Sequence, residues 1–235
     1  MPNENLITKQ IKTVTIHSVY SAYSSSLRGL GDDQALNGAL LAIVGGYAAN
    51  KQACRIAYQM AQQAVRQGIG VISGLSDNID KTVHEGALAA HGRTVAVLPY
   101  GLATPILPKD RKTLAEKIVQ RGGLLVSETA DEQASDGGMA YVRQAFLIAR
   151  LCQAVIVVAA ESAASSLHTA RYAALNGQPV YVFPDEQAGS QALLAGDWLA
   201  GGRAFSELPE QPAQPMVDHE SLDRLLAQLK TWTIK

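Results

Sequence analysis

Six short apolar runs punctuate the chain: Leu40–Val44, Gly70–Ser73, Thr94–Leu98, Leu124–Ser127, Ala154–Val158 and Val180–Phe183. They are continuous rather than alternating, the pattern of strands covered on both faces of a parallel sheet. The stretches between them carry a helical period. In Lys51–Gln67, Cys54, Ala57, Ala61 and Ala64 recur at spacings of three and four and share one face, and Gly68 follows at a stop position. Ile79–Ala90, Arg111–Gln120, Met139–Leu151 and Ser166–Asn176 fill the other gaps. Strand alternating with helix predicts an α/β fold. The sheet would be doubly wound and mostly parallel, with about six or more strands in an extended Rossmann-like arrangement and right-handed crossovers. This domain is expected over residues 36–207.

The flanks read differently. Residues 1–35 form an N-terminal extension in which "KTVTIHSVY" is a candidate edge strand. The Ser- and Gly-rich stretch 21–38 reads as an ordered loop or linker. Residues 208–235 hold a Pro-rich connector and then "DHESLDRLLAQLKTW". Leu222, Leu225, Leu226 and Leu229 make an apolar stripe there, so a short helix is expected to dock on the domain or on a second subunit.

Composition narrows the classes. Of 235 residues 47% are apolar, ample for a core, and the net charge of −1 is not that of a strongly basic nucleic-acid binder. A local basic groove remains compatible with that sum, because the field over one face matters more than the total. Cys54 and Cys152 are the only cysteines, and both fall in apolar helical surroundings as small core residues. Neither a disulfide framework nor a metal site is expected. No apolar run is long enough for a membrane span, and the first ten residues lack an apolar signal core. A cytoplasmic protein is expected.

In open α/β sheets, ligands bind beyond the carboxyl ends of the strands, at the switch point of strand order. Four loops would meet there: Gly45–Asn50, Ser73–Asp80, Pro99–Asp110 and Ala159–Ala170. Gly45 and Gly46 let the backbone approach an anion, and a helix N-terminus follows. The same pair serves equally as a tight turn without ligand. Ser73 and Gly74, with Leu75 beside them, are candidates for contact with a phosphate. Asp80 reads as a helix-start carboxylate, and His84 one turn later as its packed neighbour or as an acid–base partner. Ser165 and Ser166, with Thr169, open another helix, as caps or as phosphate ligands. Lys109, Arg111 and Arg143 are the candidate cations. Each alone is an ordinary surface charge, but together they would neutralise phosphates. The five histidines are too scattered for a metal site.

The order of these motifs resembles the DprA/Smf family of DNA-processing proteins. The matching segments are Gly45–Tyr47, Ser73–Asp80, Val83–Leu88, Thr94–Leu98, Leu107–Pro108 and Leu125–Glu128, followed by "SSLHTARYAALNGQPVYVFP". They run in one unbroken order over roughly residues 40–206, about 70% of the chain. The resemblance implies a Rossmann-like domain that binds single-stranded DNA in a positive pocket at the strand carboxyl ends. It further implies a homodimer, a partnership with the recombinase RecA in loading it onto DNA, and neither catalysis nor a cofactor. Three positions depart from the family pattern. Tyr47 replaces an Arg that would contact phosphate; it offers a ring on which a base can stack. Gln144, Ala145 and Phe146 stand where an Arg-Asn-Arg segment is expected, with Arg143 just upstream. Asn78 replaces a glycine. The stretch after Glu207 is expected to be too short for the winged-helix module of many members, and the N-terminus too short for a full helical domain.

Two other classes stay in view. A free nucleotide could occupy the same pocket in a sensor, an option that the missing arginines favour. A phosphoribohydrolase of the wider superfamily would need a Pro-Gly-Gly-x-Gly-Thr-x-x-Glu motif, and "AAESAASSLHTA" in the corresponding region lacks it.

Overall fold

A computed structural model describes residues 10–17, 24–106, 108–135, 137–198 and 212–231. Its strands are β1 (Lys12–His17), β2 (Ser24–Gly31), β3 (Leu40–Gly45), β4 (Gly70–Ser73), β5 (Thr94–Val97), β6 (Leu124–Ser127), β7 (Ala154–Val158), β8 (Val180–Val182) and β9 (Gln214–Pro215). Its helices are α1 (Lys51–Arg66), α2 (Ile79–Ala89), α3 (Lys109–Gln120), α4 (Gly138–Leu151), α5 (Ser166–Leu175), α6 (Ala188–Leu194) and α7 (His219–Lys230). The strands form one sheet in the order β1-β2-β6-β5-β4-β3-β7-β8-β9. From β6 to β9 every pairing is parallel; β1 and β2 join antiparallel at one edge.

The continuous apolar runs are explained by layers on both faces. Along β3, Leu40, Ala42 and Val44 enter one cluster while Leu41 and Ile43 enter another. β7 divides likewise, with Val155 and Val157 on one face and Ile156 and Val158 on the other. The first face is covered by Leu147 and Ile148 of α4 and Leu167 and Ala170 of α5. The second is covered by α1, α2 and α7. Leu114, Ala115 and Ile118 of α3 pack with Ala96 of β5 and Leu125 of β6. A strand whose residues are buried on both sides has no polar position to spare, so periodicity vanishes from its sequence.

Three elements differ from the sequence reading. The Ser- and Gly-rich stretch expected to be a loop contains β2, which pairs with both β1 and β6. Its glycine content reflects packing: a β-carbon at Gly29 would overlap the Val14 side chain. Arg28 pins the strand by a forked pair to Asp131, with Nε 2.8 Å from Oδ1. The other two unexpected elements are α6 and β9, both short. Residues 1–9 and 18–23 of the N-terminal extension and most of the Pro-rich connector lie outside the described residues, as does Leu107.

The C-terminal helix docks on its own sheet. Leu222, Leu225, Leu226 and Leu229 are all buried, together with Met216, in the cluster that holds α1 and α2. Asp218 and Ser221 form a reciprocal capping box that starts the helix. Asp223 accepts hydrogen bonds from Gln63 of α1 and from Gln67 just past its end, at 2.8 and 2.6 Å. No described helix is long and apolar enough to cross a membrane. Because Leu226 is fully buried, Leu226→Ala is expected to cost roughly 2–5 kcal/mol of unfolding free energy. Urea denaturation would measure it, and a loss under about 0.5 kcal/mol, the size expected of an ordinary surface change, would show that α7 is not part of the core.

Candidate functional site

β3 pairs with β4 on one side and β7 on the other, and the chain winds away from β3 in both directions. This is the switch point, and a crevice opens there beyond the strand ends. One wall is Gly45, Gly46 and Tyr47 from the β3–α1 turn; the other is Ser165, Ser166 and Thr169 at the start of α5. Gly74, Ser76, Asp77 and Asp80 from the β4–α2 loop, with Gln144, Ala145 and Ile148 of α4, complete the lining. Three of the four loops picked out from the sequence therefore meet here. The residues brought together are Gly45, Gly46, Tyr47, Gly74, Asp80, Ser165, Ser166 and Thr169.

The two turn glycines are required by close approach. A β-carbon at Gly45 would overlap the Val158 carbonyl and the Ile79 side chain; one at Gly46 would overlap Glu161 and the Ala159 carbonyl. Ala159 holds φ at 51°, uncommon for a residue with a β-carbon, and its carbonyl accepts from the Gly46 N–H at 3.3 Å. Two of the turn's donors are thus committed within the chain, since the Tyr47 N–H donates to Glu161 Oε1 at 3.0 Å. The helix N-terminus expected to serve the turn begins only at Lys51, where the Asn50 side chain caps Ala53 N–H at 2.9 Å. The vacant polar group lies across the crevice. Ser165 makes no side-chain capping bond, and the Ser166 hydroxyl is buried without a partner. Side-chain capping, the structural role foreseen for these serines, is absent, and the Ser166 hydroxyl stays buried and unpaired.

Tyr47 is held at three points yet keeps an exposed ring. Its N–H is bound by Glu161, its carbonyl accepts from Asn78 Nδ2 at 2.5 Å, and its hydroxyl lies 3.3 Å from Ser76 Oγ. Its relative exposure is 55%. Asn78 has φ of 64°, a conformation that favours glycine and that Asn tolerates, so the residue found in the family's glycine position keeps the turn and adds a hydrogen bond. Tyr141 of α4 lies within electrostatic reach of the Tyr47 side chain, and burial raises its phenol pKa. Tyr100 stands nearby, within electrostatic reach of Tyr141 and Arg111. The sequence reading found Tyr47 and missed Tyr100 and Tyr141. Both lie in predicted loop or helix ends, and only the fold sets them beside the crevice.

Asp80 and His84 are internal braces. Asp80 Oδ1 lies 3.0 Å from Ser73 Oγ, and Oδ2 accepts from Ser76 N–H at 3.2 Å. Burial pushes the Asp80 carboxyl up to about 6. Ser73 has one hydroxyl hydrogen and also lies 2.7 Å from the Ile43 carbonyl, which can only accept. A protonated Asp80 resolves the conflict by donating to Ser73. A β-carbon at Gly74 would overlap Asp80, so the loop wraps directly on the carboxyl. His84 Nε2 meets the Gly74 carbonyl at 2.6 Å and Nδ1 meets Thr94 Oγ1 at 2.7 Å. The carbonyl places the proton on Nε2, and burial pushes the imidazole down to about 4.

The remaining candidates sit elsewhere. Ser73 is fully buried and commits its hydroxyl to the brace, and Leu75 packs in the apolar cluster with Leu98 and Leu114. Among the described residues no Lys or Arg lines the crevice. Arg111 pairs with Asp77 at 3.2 Å, and Lys81 with Asp110 at 2.7 Å, tying the first turns of α2 and α3 together. Lys109 is exposed at the start of α3, and Arg143 is half-buried on α4. The expected convergence of Lys109, Arg111 and Arg143 is not what the structure shows: none of the three lines the crevice, and Arg111 is paired with Asp77, which does. Among the described residues no cluster of His, Cys, Asp and Glu is arranged to hold a metal ion.

The fold and crevice define a doubly wound α/β protein with a polar crevice at its switch point. The family model of DNA recombination-mediator protein A matches residues 14–204, and the chain belongs to that family. Protein Smf of Escherichia coli strain K12 is 34% identical over 164 residues, 69% of this chain but 43% of that protein. The chain thus spans less than half the length of this relative. DNA processing protein A from Helicobacter pylori, whose single-stranded DNA binding mode is described as unique, has a similar structure. It has TM-score 0.76 at 21% identity, over 94% of this chain and 95% of that one. The protein of the same name from Streptococcus pneumoniae gives 0.74 at 23%, over 92% and 76%.

Opposed pKa shifts give the braces a signature. Asp80 binds a proton more readily folded than unfolded, so its contribution to stability falls as pH rises from about 4 to 6. His84 binds one less readily folded, so its contribution falls as pH drops from about 6.5 to 4. Asp80→Asn, which mimics the protonated carboxyl, is expected to remove only the first. Relative to wild type it should gain roughly 2–3 kcal/mol between pH 4 and 6. Urea midpoints across that range would check this; a parallel pH profile would show that Asp80 is ionised and solvated.

Proposed function

We propose that the crevice binds single-stranded DNA, taking a phosphate at the start of α5 and stacking a base on the exposed Tyr47 ring. The observation that carries this is the pairing of Tyr47, 55% exposed and fixed at three points, with the unpartnered Ser166 hydroxyl across the crevice. Membership of the DNA recombination-mediator family supports the ligand class, as does the single-stranded DNA binding described for the Helicobacter pylori protein. Sequence-tolerant binding of this kind joins aromatic stacking to backbone contacts. We read the site as non-catalytic, since Asp80 and His84 are committed to internal bonds. Pairing with a second copy of the chain and with RecA rests on family membership alone.

A free nucleotide is the second reading. It is favoured by the crevice itself, which is lined by Asp77 and Asp80 without a described cation. A long strand draws most of its affinity from neutralised phosphates; a mononucleotide needs one phosphate position.

Fluorescence anisotropy with labelled oligo-dT over a salt series tests the first reading. Each neutralised phosphate contributes a slope of about −0.7 for single strands, so a site with so few cations should show a total between roughly −0.7 and −2. Tyr47→Ala is expected to weaken binding by roughly 1–3 kcal/mol. Thermal shifts by dTMP without any oligo-dT binding at low salt would replace this reading with the nucleotide one.

A further inference from the structure

The β3–α1 turn has the shape of an anion cradle, and an anion already sits on it. That anion is the side chain of Glu161 from the β7–α5 loop. Its Oε1 takes the Tyr47 N–H at 3.0 Å, while the Gly46 N–H is taken by the Ala159 carbonyl. Its Oε2 is shut off from solvent and has no hydrogen-bond partner. A β-carbon at Gly46 would overlap this carboxylate, so the glycine admits the Glu161 side chain. A buried carboxylate oxygen left unpaired is costly. Such a cost persists where the group does something other than stabilise the fold.

We propose that Glu161 is the specificity-determining residue of the crevice, a resident anion that holds the Tyr47 N–H and keeps ligand phosphates off the turn. The identity of the natural ligand rests on the reading above; the contact itself does not. A phosphate approaching this turn meets a like charge and finds the Gly46 and Tyr47 N–H groups taken, whereas an uncharged base does not meet the like charge. The lining offers no Lys or Arg among the described residues to offset that charge. The crevice then admits a base beside Tyr47 and restricts phosphate to the α5 end, where the Ser166 hydroxyl is unengaged. The missing arginine of the turn and the presence of Glu161 act in the same direction.

Calorimetric titration of wild type, Glu161→Gln and Glu161→Ala with thymidine, dTMP and inorganic phosphate tests this, with the Tyr47 amide resonance as a second readout. Glu161→Gln keeps an oxygen on the Tyr47 N–H and removes the charge; Glu161→Ala also frees the donor. Wild type is expected to bind thymidine and dTMP within about threefold, and the variants to prefer dTMP by roughly tenfold as the like charge is removed. In Glu161→Ala the Tyr47 amide should shift on adding inorganic phosphate, and in wild type it should not. An unchanged dTMP-to-thymidine ratio with a still Tyr47 amide overturns the proposal. If neither nucleoside ligand nor oligo-dT binds any of the three, the nucleic-acid reading fails. The amide response to phosphate then decides the role of Glu161 alone: a shift confined to Glu161→Ala supports it, and no shift overturns it.

Discussion

The end of β7 and the turn after β3 approach more closely than side chains permit. Gly45 lies against the Val158 carbonyl and Ile79, and Gly46 against the Ala159 carbonyl and Glu161, with no room for a β-carbon at either. The approach follows from topology. β3 and β7 are parallel neighbours whose chains leave in opposite directions across the sheet, so their outgoing loops must part at once. The strain of Ala159, at φ 51°, sits at the same crossing and aims its carbonyl at the Gly46 N–H. The crevice, the exposed Tyr47 ring and the buried Glu161 carboxylate all depend on this contact. Widening it with a side chain would move the wall on which the ligand reading rests.

The same crossing explains why the site is braced from below. Asp80 and His84 stand one helical turn apart on α2, and both hold the Ser73–Ser76 loop. Gly74 is pressed on Asp80, and Gln144 Nε2 donates to the Val97 carbonyl at 2.6 Å behind it. The floor is thus a network of mostly neutral hydrogen bonds, fixed in place without a cation. Among the described residues no Lys or Arg lines the crevice. A site built this way favours stacking and directed hydrogen bonds over attraction at a distance.

Much of the architecture was legible from residues alone, and for a physical reason. Strands β3 to β8 are buried on both faces, and such strands must be continuous apolar runs. The helices between them carry one apolar face, as Ala57, Ala61 and Ala64 of α1 do. β2 was illegible because its Ser and Gly residues mimic a loop, while what fixes it is a glycine packed on Val14 and an ion pair to Asp131 more than a hundred residues away. In the site, spacing pointed to the glycine turn and the serines but could not assign donors. Whether Tyr47 N–H faces a ligand or Glu161 depends on a contact across 114 residues. Arg111 was misplaced for the same reason: its partner Asp77 lies on another loop. Tyr141 needed the fold to bring α4 beside Tyr47.

The proposed engagement of single-stranded DNA through Tyr47 and the start of α5 would register on the backbone amides of this crevice. Amide chemical-shift mapping of the whole chain on titration with oligo-dT tests it directly. The largest shifts are expected on Gly45–Tyr47, Gly74–Asn78 and Ser165–Thr169, three segments at the crevice. Shifts centred instead on β1 and β2 or on α7, or none at low salt, would contradict it.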